Sequence, residues 1–263
     1  MSSRREDKER LRAERLAAES REKSQARRRL IAGYFVAGLL GAAVLAGLVV
    51  VLASSGGGGG GVEASANCDN PDNAHVQSQS GSTEGLELDC REGTPPPEIQ
   101  FGDLRESAQQ AGCELKLNQP DEGNAHIPDT TPFTYKSNPP TSGSHNPTPI
   151  ADGAYLTPLN YDTSTSPNVR NFVHSLEHGR IEIHYSPDLP DDEQLALKGV
   201  FDEDPGGMIL IPNPNMPYAV AVTAWTQLIG CPNYSPIDLD VIRNFRDTYR
   251  GNGPEQQIPV NLG

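Results

Sequence analysis

An uncharged apolar segment from Leu30 to Ala53 constrains this 263-residue chain most strongly. Its 24 residues would extend about 36 Å as an α-helix, which is long enough to cross the ~30 Å hydrocarbon layer of a membrane with some tilt. Since a helix satisfies its own backbone hydrogen bonds in lipid, we expect this segment to form a membrane-spanning helix.

The charges on either side of this segment predict its orientation. Residues 1–29 carry eleven of the 21 basic residues but only six of the 35 acidic ones, and Arg27, Arg28 and Arg29 directly precede the apolar run. By the positive-inside rule the tail is cytoplasmic, in contact with the lipid bilayer, and the rest of the chain is extracytoplasmic. The alternative is a cleaved secretory signal, with residues 64–66 as a small-x-small cleavage site. The apolar run is longer than the roughly 7–15 residues typical of such signals, which favours a single-pass anchor.

The charge of the remaining chain limits its partners. The whole chain has a formal net charge of -14, and its acidic residues lie mainly beyond the apolar segment. Binding to the phosphates of nucleic acid requires a positive surface, so we expect no nucleic-acid partner. An acidic surface is compatible with cation binding and with solubility.

All four cysteines follow the apolar segment, which predicts disulfide bonds in an oxidising compartment. Four cysteines allow three pairings, of which we favour Cys68–Cys90 and Cys113–Cys231. The first pair closes a short loop, and the second ties together the ends of the expected globular domain. The alternative is a thiolate metal site, which the absence of a C-x-x-C spacing disfavours.

Composition divides the chain into five regions. Six consecutive glycines mark a flexible linker, and the acidic, proline-rich sequence after it indicates a stalk that is loosely ordered to about residue 97. The predicted regions are a basic tail at 1–29, the membrane helix at 30–53, linker and stalk at 54–100, an extracytoplasmic domain at 101–251 and a C-terminal tail at 252–263.

Hydrophobic patterning predicts an α+β fold with a mixed sheet and a C-terminal helix. Residues 180–185 alternate so that Ile181, Ile183 and Tyr185 share one face, which puts His184 at the surface or rim. Residues 128–168 are too rich in Pro, Gly, Ser, Thr and Asn for regular structure. The expected elements are a helix at 103–111, a strand at 113–117, a strand at 180–185, a helix at 189–204, strands at 208–211 and 218–229, and a helix from Ser235-Pro236 to residue 250.

Histidine placement is the main functional signal. Five of the six histidines fall between residues 126 and 184. His174 and His178 are four residues apart, so that on a helix two imidazoles can share one metal, with Glu177 as a further ligand or an orienting group. Pro-Pro-Thr-Ser-Gly at 139–143 forms a rigid turn that aims His145, and His126 lies on a nearby loop. The structural alternative is that these turns only pack against the sheet.

The segment His174-Ser-Leu-Glu-His178 also matches the His-x-x-Glu-His motif of inverted zinc proteases. Gly179 directly after it predicts the end of the helix, and the domain is small for such an enzyme. We therefore expect no catalytic residues from this motif and keep a metal-dependent hydrolase only as an alternative.

The motifs at 139–145 and 174–179, together with Ala224-Trp225, Cys231 and Phe245, resemble a bacterial family of uncharacterised envelope proteins. The resemblance covers about residues 105–250. It implies a short tail, one membrane span and an extracytoplasmic domain of unknown function. It implies no activity, so any role for the histidines rests on their chemistry.

The sequence therefore predicts a membrane-tethered extracytoplasmic domain that binds a transition metal. The expected ligands are His126, His145, His174, His178 and Glu177, and imidazole suits copper and zinc equally well. We expect no other cofactor. The first alternative is a metal-free scaffold that binds an unidentified envelope protein, and geometry distinguishes the two because metal ligands converge whereas scaffold histidines are dispersed.

Overall fold

A computed structural model describes residues 71–255, which form an α+β fold with a mixed six-stranded sheet. The predicted tail, membrane helix Leu30–Ala53 and glycine linker lie outside the described residues. None of the helices within 71–255 combines the length and the apolar character needed to cross a bilayer. The helices are α1 (Leu104–Ala111), α2 (Val169–Glu177), α3 (Asp191–Glu203) and α4 (Asp238–Tyr249), and the strands are β1 (Glu114–Lys116), β2 (Gly153–Ala154), β3 (Ile181–Tyr185), β4 (Met208–Pro212), β5 (Val220–Ala224) and β6 (Gln227–Cys231).

The sheet has the strand order β1-β6-β5-β3-β4-β2. β3 pairs in parallel with β4, and β4 with β2, while the other three pairings are antiparallel. The parallel β3–β4 pair is joined through α3 in a β-α-β unit, the usual connection between parallel neighbours. The mixed sheet and the C-terminal helix predicted from the sequence are confirmed.

Both faces of the central strands are covered, which makes the prediction for His184 wrong. Ile181 and Ile183 lie in one hydrophobic core with residues of α1, α3 and α4, as the alternation predicts. The opposite face carries His184, which is fully buried, beside Ile209 and Ile211 of β4. Helix α2 and the loop before it cover this face. An alternating pattern normally leaves one face solvated, and the sequence of β3 gives no sign of the second layer.

The predicted strand at 218–229 is two strands joined by a tight turn. β5 and β6 form an antiparallel hairpin in which Ala224 pairs with Gln227. The turn residues are Trp225 and Thr226, and Thr226 has a φ of +62°. Two-residue hairpin turns usually contain Asn or Gly, so a Trp-Thr turn inside an apolar run carries no recognisable signal.

The helix boundaries agree with the sequence except at the start of α4. The Asp103 side chain accepts hydrogen bonds from the backbone of residues 105 and 106, and Gly112 ends α1 in the left-handed region, as predicted. Helix α4 begins at Asp238 rather than at Ser235-Pro236. The Asp238 backbone N–H donates to the Ser235 carbonyl at 2.9 Å, so that Ser235 opens a turn before the helix.

The predicted disulfide between Cys113 and Cys231 is confirmed. It joins the residue before β1 to the end of β6 across a sequence separation of 118. In the chain-entropy account such a crosslink stabilises the fold by about 4–5 kcal/mol. Cys90 is also disulfide-bonded, and its predicted partner Cys68 lies outside the described residues.

Residues 71–97 are packed against the domain, so the loose order predicted for the stalk is not observed in this part. Isolated β-bridges pair Gln77 with Asp152, Ser82 with Ile150 and Leu88 with Tyr155. The buried Lys198 ammonium also donates to the Asn73 carbonyl at 2.8 Å. Backbone pairing attaches much of this segment, with Leu86 and Leu88 packed against the core, and a composition argument does not detect the pairing.

Candidate metal centre

Helix α2 holds the irregular segment 126–150 in place through its polar side chains. The buried Arg170 guanidinium donates to three backbone carbonyls between residues 128 and 131 at 2.6–3.2 Å. Further along α2, Asn171 and Ser175 donate to carbonyls of the same segment at 2.8 and 3.0 Å. A proline-rich loop thereby acquires a fixed position relative to the helix that carries His174 and Glu177.

A short backbone pairing places His126 beside His145. The Ile127 N–H donates to the His145 carbonyl at 2.8 Å, and the His145 N–H donates to the Ala125 carbonyl at 3.0 Å. The two imidazole rings lie 5.0 Å apart between centroids. Two histidines separated by 19 positions in the sequence are therefore neighbours in the fold.

The turn before His145 is tightly packed at Gly143. Its φ of +128° lies in a region that L-residues rarely adopt, and a Cβ there would lie 2.8 and 2.9 Å from the rings of Phe133 and Tyr135. The Tyr135 hydroxyl also donates to the Ser144 carbonyl at 2.8 Å. This packing fixes the backbone from which His145 projects, as the Pro-Pro-Thr-Ser-Gly sequence predicts.

Backbone carbonyls set the tautomers of two imidazoles. His145 Nδ1 lies 2.8 Å from the Gly143 carbonyl oxygen, and His174 Nδ1 lies 2.7 Å from the Asn146 carbonyl oxygen. A carbonyl oxygen only accepts hydrogen bonds, so both Nδ1 atoms carry the hydrogen. In the neutral rings each Nε2 therefore presents a lone pair. Metal-binding histidines are commonly oriented by such an Nδ1–H donation.

Four side chains converge on one small volume. One ligand atom from each of His126, His145, His174 and Glu177 lies within 4.8 Å of the others. Glu177 Oε2 is 3.0 Å from His145 Nε2 and 3.7 Å from His126 Nε2. His145, His174 and Glu177 are buried, whereas 47% of the His126 side chain is exposed. Three of the four side chains are thus buried, and the His126 side of the group is open to solvent.

Burial keeps the imidazoles of His145, His174 and His178 neutral. Desolvation is the main cause that lowers the pKa of His145, and it lowers the pKa of His174 to about 3 despite the hydrogen bond to Asn146. Desolvation and Arg180 also lower the pKa of His178. At neutral pH these nitrogens are available as ligands rather than protonated.

The contact between His145 and Glu177 brings two acceptor atoms together. His145 Nε2 and Glu177 Oε2 are buried and 3.0 Å apart, yet neither makes a hydrogen bond of acceptable geometry. A neutral imidazole nitrogen without hydrogen and a carboxylate oxygen both offer lone pairs, which repel at this distance unless a proton or a metal ion lies between them. Three imidazole nitrogens and one carboxylate oxygen form a donor set that Zn(II) and Cu(II) accept.

The structure brings together four of the five predicted ligands. His178 lies outside that group, since it caps the C-terminus of α2 and forms a separate group with His174 and Glu255. Its ring stacks on that of His174, with centroids 4.7 Å apart and an interplanar angle of 17°. The helix ends at Glu177 and Gly179 has a φ of +85°, so the His-x-x-Glu-His segment does not continue as the helix expected of a zinc protease.

Sequence reasoning missed the groups that orient and flank the cluster. The Gly143 and Asn146 carbonyls fix two imidazoles, and any residue at these positions would supply the same atoms. Glu255 lies in the predicted C-terminal tail, far from the histidines in sequence. Trp225, the single tryptophan of the chain, is edge-on to His145 at 6.3 Å between centroids.

Residues 126–261 match a family profile described as "Protein of unknown function (DUF3105)". The match begins at the first histidine of the cluster and includes more than half of the chain. A domain of unknown function is therefore confirmed, over residues 126–261 rather than about 105–250, while the expected envelope location and single membrane span stay predictions. Neither a curated protein nor a solved structure matches the chain.

Proposed function

The chain belongs to the DUF3105 family, whose function is unknown, and from this premise we propose that it binds one Zn(II) or Cu(II) ion through His126, His145, His174 and Glu177. The proposal rests above all on the contact between His145 Nε2 and Glu177 Oε2, which lie 3.0 Å apart without a hydrogen bond. A divalent ion among the four ligands removes this repulsion.

The architecture of the cluster supports a metal site over a scaffold role for the histidines. Dispersed histidines would each bond to separate parts of the fold, whereas three of these imidazoles lie 4.7–5.0 Å apart. Metal binding also offsets the cost of burying an ionisable carboxylate, because the ion supplies the opposite charge.

The donor set favours borderline divalent ions. Imidazole and carboxylate suit Zn(II) and Cu(II), whereas Cu(I) prefers the softer sulfur of Cys and Met. Within the described residues, the disulfide removes Cys113 and Cys231 from consideration as thiolate ligands. The two ions differ in geometry, since Zn(II) prefers four tetrahedral ligands and Cu(II) prefers a tetragonal arrangement.

A metal-dependent hydrolase is a second candidate, favoured by the exposure of His126. A site with one open side can admit water and substrate to the ion. In that case Glu177 would act as the base rather than as a ligand. Replacing Glu177 by Gln distinguishes the two roles, because loss of a base removes hydrolysis and leaves the metal bound, whereas loss of a ligand lowers the metal affinity.

Membrane attachment is part of the same proposal. Leu30–Ala53 would anchor the chain, with the basic tail inside and the metal-binding domain outside the cytoplasm. The Cys113–Cys231 bond supports this orientation because disulfides persist in oxidising compartments. Protease added to intact cells should digest the domain and spare the tail, and digestion of the tail alone would contradict this orientation.

Calorimetric titration of the purified full chain with Zn(II) and with Cu(II) tests the metal proposal. We expect one tight equivalent, and we expect bound Cu(II) to quench the fluorescence of Trp225, because a paramagnetic ion at the cluster would lie close to this indole. Binding no tighter than loose surface association would overturn the metal proposal and leave the scaffold interpretation.

A further inference from the structure

The segment from Gly251 to Glu255 crosses the C-terminal end of α2. The Gly251 N–H donates to the Gly179 carbonyl at 2.8 Å, and the Glu255 N–H donates to the Glu177 carbonyl at 3.0 Å. At Gly253 the backbones are so close that a Cβ would lie 2.1 Å from the Glu177 carbonyl oxygen. These contacts fix the backbone that carries the Glu255 side chain.

This crossing creates a second group of ligands next to the first. One ligand atom from each of His174, His178 and Glu255 lies within 4.8 Å of the others. His178 Nδ1 is buried and has no hydrogen-bond partner, and Glu255 is partly exposed. We call His126, His145, His174 and Glu177 the inner position, and His174, His178 and Glu255 the outer position.

The two positions cannot both use His174 at the same time. Its Nδ1 is engaged by the Asn146 carbonyl, which leaves Nε2 as its one free nitrogen. That nitrogen has a single lone pair and binds one ion. The arrangement is therefore unlike a two-metal centre, in which both ions are bound at once, and it fits one ion that occupies two alternative positions.

We propose that the outer position is an exchange site through which a labile divalent metal ion enters and leaves the inner position. This inference rests on the metal site proposed above. His174 remains bound while His178 and Glu255 replace His126, His145 and Glu177 one ligand at a time. Each position contains one carboxylate, so the charge around the ion is the same at both, and the transfer involves no change of oxidation state.

Exchange through the outer position implies that the metal is cargo rather than a permanent structural ion. A closed structural site fills its coordination positions with four protein ligands. Here His174 of the inner position also belongs to a second ligand group, which includes the partly exposed Glu255. The corresponding partner is a donor or acceptor of Zn(II) or Cu(II) that meets the protein at the end of α2.

The rate of metal release tests this inference. The full chain, loaded with one equivalent of Zn(II), is mixed with a chromogenic chelator, and release is compared for the wild type, Glu255→Gln and the exposed control Glu84→Gln. We expect Glu255→Gln to keep the equilibrium affinity within about threefold and to slow release at least tenfold, while Glu84→Gln releases Zn(II) at the wild-type rate. His178→Ala should slow release like Glu255→Gln.

The outcomes separate the two proposals. If wild type binds Zn(II) tightly and Glu255→Gln releases it at the wild-type rate, the exchange site is wrong and the inner site stands. If wild type binds no Zn(II), both proposals fail. In a Glu177→Gln background we expect weak residual Zn(II) binding that the further change Glu255→Gln removes, and residual binding that survives both changes would also contradict the outer position.

Discussion

Two buried glutamate–histidine pairs occupy this fold, and they differ in what surrounds them. Glu177 and His145 lie 3.0 Å apart at the end of α2, and Glu182 and His184 lie 3.2 Å apart on β3. The first pair is joined by two more imidazoles, and a backbone carbonyl takes up the other nitrogen of His145. Of the two contacts, only the one between Glu177 and His145 thus has the further ligands that a metal site needs.

In the pair on β3, a proton rather than a metal ion can remove the repulsion between Glu182 and His184. Burial is the main cause that raises the pKa of Glu182, which favours the neutral carboxyl, and His184 Nε2 also lies 3.2 Å from the Thr223 hydroxyl. Among the described residues, no group of metal ligands includes Glu182 or His184. These differences support the proposed metal binding for the first pair and a structural role for the second.

The largest difference between the two pairs is expected when each glutamate is replaced in turn by glutamine. We expect Glu177→Gln to weaken Zn(II) binding by about 100-fold or more, because even residues that only orient metal ligands are typically worth 10–100-fold. Glu182→Gln, the matched control, should bind Zn(II) with wild-type affinity. Calorimetric titration measures both variants, and equal losses in the two would show that the pairs are not distinct.

A change in the turn before His145 should have a smaller effect on Zn(II) affinity. Gly143→Ala introduces a Cβ against Phe133 and Tyr135 at a φ of +128°, so we expect about 1–3 kcal/mol of destabilisation and roughly tenfold weaker Zn(II) binding. Gly112→Ala at the end of α1 is the control, because its φ is +72° but no atom lies within 4 Å. It should lower stability in thermal unfolding without changing the Zn(II) affinity.

The sequence predicted the parts of the site that depend on local chemistry. The clustering of histidines, the rigid turn at 139–143 and the ending of the helix near Gly179 were all readable, because each follows from residue type and short spacing. The burial of His184 and the position of Glu255 were not, since both depend on which segments pack together. His178 was assigned to the main cluster from its i, i+4 spacing, but the helix ends before it and its ring stacks on His174 instead.

The fold shows the same division between local and long-range information. The limits of α1 follow from Asp103 and Gly112, and the Cys113–Cys231 bond was expected from the number and placement of the cysteines. The attachment of residues 71–97 was missed because it uses backbone bridges and buried charges such as Lys198. Hydrophobic periodicity contains no information about contacts of this kind.

The pH dependence of Zn(II) binding tests whether the buried imidazoles of the inner position are neutral. An imidazole binds a metal only when unprotonated. The pKa of His174 is lowered to about 3, so this ring carries no proton to displace at pH 5.5, and burial lowers the pKa of His145 in the same direction. We therefore expect the Zn(II) affinity to fall by no more than about tenfold between pH 6.5 and pH 5.5. A fall of about thirtyfold or more, as expected when two or more ordinary imidazoles with a pKa of about 6.5 compete with protons, would contradict their burial in the neutral form.

The smallest expected effect is the contribution of Glu182 on β3 to the free energy of unfolding. Because the folded-state pKa of Glu182 is raised, its contribution to stability is fully present below the pKa of the unfolded chain and is lost as the pH rises towards the folded-state value. Glu182→Gln cannot ionise, so its stability relative to wild type should increase from pH 4 to pH 7, by at most about 1.4 kcal/mol per pH unit. Denaturant unfolding of the metal-free proteins measures this difference, and a pH-independent difference would show that folding does not raise the pKa of Glu182.

The position of a bound ion tests the central claim most directly. Crystals of the protein grown with Zn(II) and measured at the zinc absorption edge should show one strong anomalous peak at about 2.0–2.2 Å from His145 Nε2, His174 Nε2 and Glu177 Oε2. That result would establish the inner position as the metal site. A fully loaded crystal without a peak there, or with its strongest peak beside Glu182 and His184, would contradict the account.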